Sequence, residues 1–157
     1  MELGLALAIA GAAIVMAISG VGSAIGVAFG GQAAGGVMTE EPEKFGIMIP
    51  LVGIAGTQGF YGFLIGFLVL NKLDLLKAAI KIPTLTQGLQ ILAICLFISI
   101  VECVSAIWQG KVSVSSIGII AKKPQEAGKA LVLPIFVEIY AILGLAAGFL
   151  LLLGVKI

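Results

Sequence analysis

Charged residues divide this chain into four long apolar runs. The runs that carry one charged residue or none are residues 3–39, 45–71, 82–110 and 130–155. Each run exceeds the roughly 20 residues that a helix needs to cross the hydrocarbon core of a bilayer. The pattern therefore predicts an all-α membrane protein with four transmembrane helices. Their expected bounds are about residues 4–38, 45–71, 85–121 and 127–155.

The composition supports this prediction and leaves little room for a soluble part. Hydrophobic residues make up 61% of the 157 residues and charged residues only 11%, less than half the usual share in a soluble domain. We expect a single membrane domain over residues 1–157. The first run starts with Glu2 and lacks the basic segment of a signal peptide, so we expect it to be retained. Helices 1 and 3 should protrude or bend, because roughly 35 residues at about 1.5 Å each exceed a core of about 30 Å.

The charge distribution indicates orientation rather than a charged partner. A formal net charge of +1 gives no reason to expect nucleic acid as a partner. The lysines are slightly more numerous beside the loops that join helices 1–2 and 3–4, which predicts that these loops are cytoplasmic in the cell membrane. Cys95 and Cys103 lie in helix 3 of a chain without histidine, so they are too few for a soft-metal site and are expected to pack.

The chain is an internal duplication. At an offset of 82 residues, "SAI" at 23–25 pairs with "SAI" at 105–107, and the loops "TEEPEKFG" and "AKKPQEAG" fall on each other. We infer two tandem helical hairpins, about residues 1–75 and 83–157. Because the offset spans two helices, both hairpins enter the membrane in the same sense.

One acidic residue, Glu138, stands in the middle of the last apolar run. A carboxylate at the centre of a membrane helix costs about 2.5 to 3.5 kcal/mol, which makes it a functional candidate. Its counterpart in the first hairpin is Gly56, and beside that glycine "TQGFY" brings Thr57, Gln58 and Tyr61 together on helix 2. The first hairpin thus offers neutral oxygens where the second offers a charge.

These polar residues together favour an ion site. For each one alone, a hydrogen bond between helices is the simpler interpretation. A hard cation such as Na⁺, however, needs several oxygen ligands and a countercharge. Glu138 supplies the charge, Thr57 a hydroxyl, and Gln58 and Gln109 supply amide oxygens. Pro134, four residues before Glu138, removes one helix hydrogen bond and loosens the backbone there. We predict a cation or proton site.

Helix 1 carries a packing surface rather than a chemical one. Gly22, Gly26 and Gly30 follow the small-xxx-small spacing that lets helix backbones approach closely in lipid. Other glycines lie around the same helix, so packing against several neighbours in a crowded ring fits the pattern better than a single dimer seam.

With these motifs, the chain resembles the proteolipid (K or c) subunit of the membrane rotor ring of V-type ATPases. The resemblance is to the duplicated four-helix form, most closely the bacterial sodium-translocating type. It covers essentially the whole chain and rests on "GTQGFYG", "QGK", "AKKPQ" and "VEIYAILG". The departures at Gln125 and Ile139 carry no ligand.

The resemblance implies a complete site and a set of partners. The implied Na⁺ ligands are Glu138, Thr57, Gln58, Gln109 and the carbonyl of Ile54, with Tyr61 nearby. The implied partners are identical copies in a homo-oligomeric ring, a stator a-type subunit with an arginine, a central-stalk subunit and membrane lipid. Helices 1 and 3 would form the inner wall of the ring. The chain itself would not be an enzyme and would bind neither nucleotide nor an organic cofactor.

Two alternatives stay open at this point. The ring could carry H⁺ instead of Na⁺ at the same glutamate. A small drug–proton antiporter also has four helices and a membrane glutamate, but aromatic residues would then be expected around the acid, whereas Trp108 lies in helix 3. Glu102 departs from the family pattern, and it could join a hydrogen-bond network, face the ring lumen or hold a second charge.

Overall fold

Four helical spans make up the fold. The computed structural model describes residues 2–75, 77 and 79–157, and every regular element in these ranges is helical. Each span is long and apolar enough to cross a membrane. The α-helices are α1 (Leu3–Met38), α2 (Phe45–Gly53), α3 (Thr57–Lys72), α4 (Leu85–Lys122) and α5 (Ala127–Gly154).

The second span differs from the single helix that the sequence predicts. It runs from Pro42 to Lys72, and a 3₁₀ turn at Ile54–Gly56 separates α2 from α3. Pro50, which has no N–H to donate to the preceding turn, lies one turn before the interruption, and Ile54 N still donates to its carbonyl. The interruption contains Ile54 and ends where α3 begins at Thr57, and both are predicted site residues.

Prolines and one capping box fix where the spans begin. Pro42 and Pro124 each open a short 3₁₀ turn at the start of their span, where a missing N–H costs nothing. Before α4, Thr84 and Gln87 form a reciprocal capping box: the Gln87 side chain accepts from Thr84 N at 2.7 Å, and Thr84 Oγ1 accepts from Gln87 N at 3.3 Å.

Helices α1 and α4 form a parallel central pair in close backbone contact. A Cβ added at Gly22 would lie 2.5 Å from Cys103 Cα, and one at Gly26 would lie 2.8 Å from Ala55 Cβ and would overlap the Ala106 carbonyl. A Cβ at Gly30 would meet Val52 Cα at 3.1 Å. The structure therefore places all three predicted packing glycines against helices of the same chain. Helix α3 packs mainly on α1, and α5 packs mainly on α4.

The apolar core is divided into two clusters with a polar layer between them. One cluster lies towards the termini and includes Val15, Ile65 and Ile98, together with Cys95. The other lies towards the loops that join the spans of each hairpin and includes Met48 and Ile117. The buried polar side chains between the clusters include Gln58, Ser105, Gln109 and Glu138. The candidate site belongs to this layer.

Candidate ion-binding site

Glu138 on α5 lies at the centre of the polar layer and is only 8% exposed. Four side chains donate hydrogen bonds to its carboxylate. Tyr61 Oη donates to Oε1 at 2.6 Å, and Gln109 Nε2 and Gln58 Nε2 reach Oε2 at 2.8 Å and 3.2 Å. Thr57 Oγ1 lies 2.9 Å from both carboxylate oxygens. None of the ion pairs among the described residues involves Glu138, so the charge has no cationic partner there.

The Thr57 hydroxyl is surrounded by more acceptors than it can serve. Besides the two Glu138 oxygens, the Ile54 carbonyl lies 2.9 Å and Gln58 Oε1 lies 3.2 Å from Thr57 Oγ1. A threonine hydroxyl has one hydrogen, so it can donate to only one of these four oxygens at a time. Five oxygen atoms from three residues of the second span and one of the fourth thus converge, and the Thr57 hydroxyl offers its four oxygen neighbours a single hydrogen.

A pair of buried amides closes the other side of the site. Gln58 Nε2 donates to Gln109 Oε1 at 2.7 Å, and Gln109 Nε2 also donates to the Pro134 carbonyl at 3.0 Å. Both glutamine side chains are completely buried. Gln109 therefore faces the carboxylate with its nitrogen, and it links α4 to α5 at the level of Glu138.

The local backbone explains how the second span presents its oxygens. The 3₁₀ turn ends as Thr57 N donates to the Ile54 carbonyl, and the Thr57 hydroxyl approaches the same carbonyl. Thr57, Gln58 and Tyr61 then occupy the first turns of α3 and face α5. The structure thus brings together every side chain that the sequence predicted for this site.

Two serines that the sequence analysis did not assign also support the site. Ser105 Oγ lies 3.4 Å from Gln58 Nε2 and donates to the Val137 carbonyl at 3.3 Å. Its repeat counterpart, Ser23, accepts from Gly59 N at 2.7 Å and so anchors α3 to α1. The repeated "SAI" triplet was the signal in the sequence, because each copy supplies one serine beside the site.

Glu102 lies apart from this cluster. It is fully buried, and neither of its carboxyl oxygens has a hydrogen-bond partner among the described residues. Of the three possibilities left open by the sequence, its full burial argues against a position facing the ring lumen, and no hydrogen-bond network of the described residues includes it.

Four membrane-length helices enclose a buried carboxylate that is surrounded by further oxygen atoms. This arrangement is that of a membrane protein that can hold a small cation or a proton. The model of the ATP synthase C-subunit family matches the chain twice, over residues 10–69 and 92–151. The two matches begin 82 residues apart, the offset of the internal repeat. The chain belongs to this family, in its duplicated four-helix form.

Two relatives illustrate the similarity. The chain is 41% identical over 151 residues to the V-type sodium ATPase subunit K of Enterococcus hirae, a match that covers 96% of this chain and 93% of the relative. It is 36% identical over 146 residues to the A-type ATP synthase subunit K of Methanocaldococcus jannaschii, which covers 92% of this chain and 61% of the relative.

Membership of the family confirms several predictions made from the sequence. The family forms rotor rings within ion-translocating ATPase complexes, and its members are not catalytic themselves. The predicted family, the all-α membrane fold and the role as an ion-carrying rotor subunit are confirmed. The antiporter alternative is thereby set aside, and the chain is an integral membrane protein.

Proposed function

We propose that this chain is the sodium-carrying subunit of a V-type rotor ring and binds Na⁺ at Glu138. The observation that carries this proposal is a group of five oxygen atoms, in which four acceptor oxygens surround Thr57 Oγ1 and its one hydrogen. A cation accepts lone pairs from all of them at once, which a hydroxyl hydrogen cannot do. The proposed ligands are Thr57 Oγ1, Gln58 Oε1, the Ile54 carbonyl, the Glu138 carboxylate and Gln109 Oε1.

Gln109 has to turn its amide over to become a ligand. It faces Glu138 through Nε2, whereas its Oε1 accepts from Gln58. A half-turn about the last side-chain torsion exchanges the nitrogen and the oxygen without moving the helix. It also breaks the hydrogen bonds from Gln58 Nε2 and to the Pro134 carbonyl, a cost that binding of Na⁺ must offset. In the loaded site Tyr61 keeps its bond to Glu138 Oε1 and holds the carboxylate in place.

The donors around Glu138 favour Na⁺ over H⁺. Four side chains reach the two carboxylate oxygens, and an ionised carboxylate can accept all four bonds. A carboxylic acid would place its own hydrogen among these donors. A proton site would also leave the side-chain oxygens of Thr57 and Gln58 as superfluous buried polarity. The name of the Enterococcus relative, a sodium ATPase, supports the same ion.

The mechanism follows from the cost of charge in lipid. Without a cation, Glu138 carries an unpaired charge that is expensive to move through hydrocarbon. Bound Na⁺ neutralises it, so the loaded protomer rotates past lipid, and rotation is coupled to loading. A positively charged arginine of a stator a-type subunit would favour the empty, ionised form and so allow exchange of the ion.

The proposal also assigns the outer apolar surface of the chain and the end that carries the hairpin loops. Large apolar side chains are exposed on α3 and α5, including Phe60 at 74% and Tyr140 at 69%, as expected for surfaces that meet lipid or further copies. The loops between the spans of each hairpin lie at one end, where Lys44 Nζ donates to the Ala121 carbonyl at 2.7 Å. We assign this end to the cytoplasm and to the central-stalk subunit.

Protection of Glu138 from a carbodiimide tests the choice of ion. The reagent attacks the protonated acid, so Na⁺ bound to the same carboxylate should block labelling, and more effectively as the pH rises. Labelling is measured at the Glu138 peptide by mass spectrometry in the assembled membrane complex. In parallel, Glu138→Gln should abolish coupled transport, whereas Glu102→Gln should leave a substantial part of it.

Two results would reject the proposal. If millimolar Na⁺ gave no protection at any pH at which labelling occurs, the ring would be a proton carrier and the polar cluster would serve packing. Equal loss of transport from Glu138→Gln and Glu102→Gln would show that the ion-binding carboxylate has been assigned wrongly.

A further inference from the structure

Glu102 is a second membrane carboxyl group that the proposed ion site does not use. Its side chain is 0% exposed, and both oxygens lack a hydrogen-bond partner in the part of the chain that the structure describes. It points between the helices: a Cβ at Gly144 on α5 would lie 3.3 Å from Glu102 Oε1. The next residue, Cys103, packs its backbone against Gly22 of α1. Glu102 is therefore enclosed by helices of its own chain.

Ser19 places a second unpartnered polar group in the same layer. Ser19 is fully buried and lies one turn before Gly22 on α1, and its Oγ also lacks a partner within the described ranges. Gly62, the repeat counterpart of Gly144, packs directly on it. Both carboxyl oxygens of Glu102 and Ser19 Oγ thus lie buried in one layer, beside Gly144 and Gly62 respectively.

Among the described residues, no positive charge lies close to this layer. Lys111, which is nine residues from Glu102 on α4, lies over the Trp108 ring at 4.2 Å, and nine residues correspond to about 13 Å of helix. The titratable groups within the apolar parts of the packed helices are Tyr61 on α3, Glu138 and Tyr140 on α5, and Cys95 and Cys103 on α4 itself, and none of these is cationic; α1 has no titratable group. The other lysines of the packed helices, Lys72, Lys122 and Lys129, lie in the first or last turn of their helices.

We propose that Glu102 is a second ion-binding site of this chain, and that it holds a resident proton rather than Na⁺. An ionised carboxylate buried without a partner costs far more than a neutral acid, so a proton is the least expensive way to neutralise it. Sodium would need several further oxygens. Glu138 has such oxygens from Thr57, Gln58 and Ile54, whereas no donor or acceptor of the described residues reaches Glu102. The proposal does not depend on which ion Glu138 carries.

The resident proton has a consequence for transport at high pH. Gln109 and Glu102 are seven residues apart on α4, so the two carboxyl groups are separated by about 10 Å along the membrane normal. If Glu102 lost its proton, a protomer loaded at Glu138 would still carry one negative charge. It could no longer pass lipid as a neutral body. Transport should therefore fall as the pH rises through the range in which Glu102 ionises.

Infrared spectroscopy tests the site directly. The purified chain in lipid vesicles is kept in saturating Na⁺ at about pH 8, where exposed carboxyl groups are ionised. We expect a carboxylic-acid C=O band that shifts in deuterated buffer and is lost in Glu102→Gln. A band that survives this substitution unchanged would overturn the proposal.

Glu138→Gln provides a second test if Glu102→Gln fails to assemble. Glu102 is then the only acidic residue left in the four predicted runs, so the band should persist, and its absence would reject the resident proton. The same spectra distinguish this proposal from the identity of the ion at Glu138. If Na⁺ failed to bind at Glu138, wild type would show two carboxylic-acid bands, and Glu102→Gln and Glu138→Gln would each remove one of them.

The pH profile of coupled transport tests the role. Glu102→Gln keeps the shape and neutrality of the protonated acid, so it should retain transport at neutral pH and lose less activity than wild type at alkaline pH. Identical alkaline profiles would exclude a role for Glu102 in transport. Protection of Glu102 itself from carbodiimide by Na⁺ would make it a cation site and would also contradict the proposal.

Discussion

Replacing Thr57 by valine removes the oxygen on which the proposed site is centred. Valine keeps the branched shape of threonine, so the packing of α3 against α5 should change little, and Glu138 keeps its charge. The change deletes Thr57 Oγ1, which lies within 3.2 Å of the Ile54 carbonyl, Gln58 Oε1 and both Glu138 oxygens. A bound Na⁺ would lose a ligand, and the remaining oxygens would lose the group that holds them together.

The size of the effect can be worked out from these contacts. An interaction with a charged group is worth about 1.5 to 3 kcal/mol. Since about 1.4 kcal/mol corresponds to a factor of ten in affinity, the Na⁺ dissociation constant should rise about 10- to 150-fold. Labelling itself should remain possible, because the carboxyl group that reacts is still present.

The assay is the Na⁺ concentration that half-protects Glu138 from a carbodiimide at fixed pH, read at the Glu138 peptide. Thr86→Val is the matched control, because Thr86 is exposed near the start of α4, far from the site, and should leave this concentration unchanged. A half-protecting concentration that is the same in Thr57→Val and wild type would refute the placement of Na⁺ among these oxygens.

Three further changes test other parts of the structure. Gln109→Leu removes the proposed Oε1 ligand and should weaken Na⁺ protection by a similar factor while labelling persists; unaltered protection would show that the amide is not needed. Gly26→Leu should prevent assembly of the ring, because a side chain at this position would overlap the backbone of α4. The control is Gly35→Ala, which should assemble normally in the same native-gel assay because an added Cβ there has no atom within 4 Å. A normal ring formed by Gly26→Leu would contradict the close packing. The Lys77 ammonium lowers the pKa of Asp74, so Lys77→Gln should raise that pKa in an NMR titration. Because the pKa of Asp74 is lower in the folded state, the ion pair stabilises the fold above the unfolded-state pKa of Asp74. This stabilisation is lost as the pH falls through the folded-state pKa. If Lys77→Gln left the pKa of Asp74 unchanged, the ion pair would not form in solution.

The sequence predicted the site better than it predicted the backbone that carries it. Glu138 and the Thr57–Gln58 pair stand out because polar side chains are expensive in an apolar run, and the repeat aligns them at the same depth. Gln109 could be added because it too lies inside such a run. Their number and type, together with the resemblance, were enough to indicate a cation.

Two features were not predictable in the same way: the interruption of the second span, and the helices against which the glycines of α1 pack. A proline and several glycines are common in membrane helices without any break, so the 3₁₀ turn at Ile54–Gly56 required the structure. The spacing of Gly22, Gly26 and Gly30 identifies a close-packing face, but it cannot indicate whether a helix of the same chain or of another copy covers it. Glu102 was visible as an anomaly, and only its enclosure by the helices of its own chain indicates how it is neutralised.

The duplication leaves one transported-ion carboxylate for every four helices, since the counterpart of Glu138 is Gly56. In the proposed rotor, the helices set the circumference of the ring, whereas the carboxylates set the number of ions that pass per revolution. A ring of given size therefore moves half as many ions per turn as one in which every hairpin holds an acid. Each ion that crosses 100 mV requires about 2.3 kcal/mol. The energy of one turn is then divided among fewer ions, and each can be driven against a steeper gradient. With glycine at position 56, the proposed ring therefore moves fewer ions per turn, each against a steeper gradient.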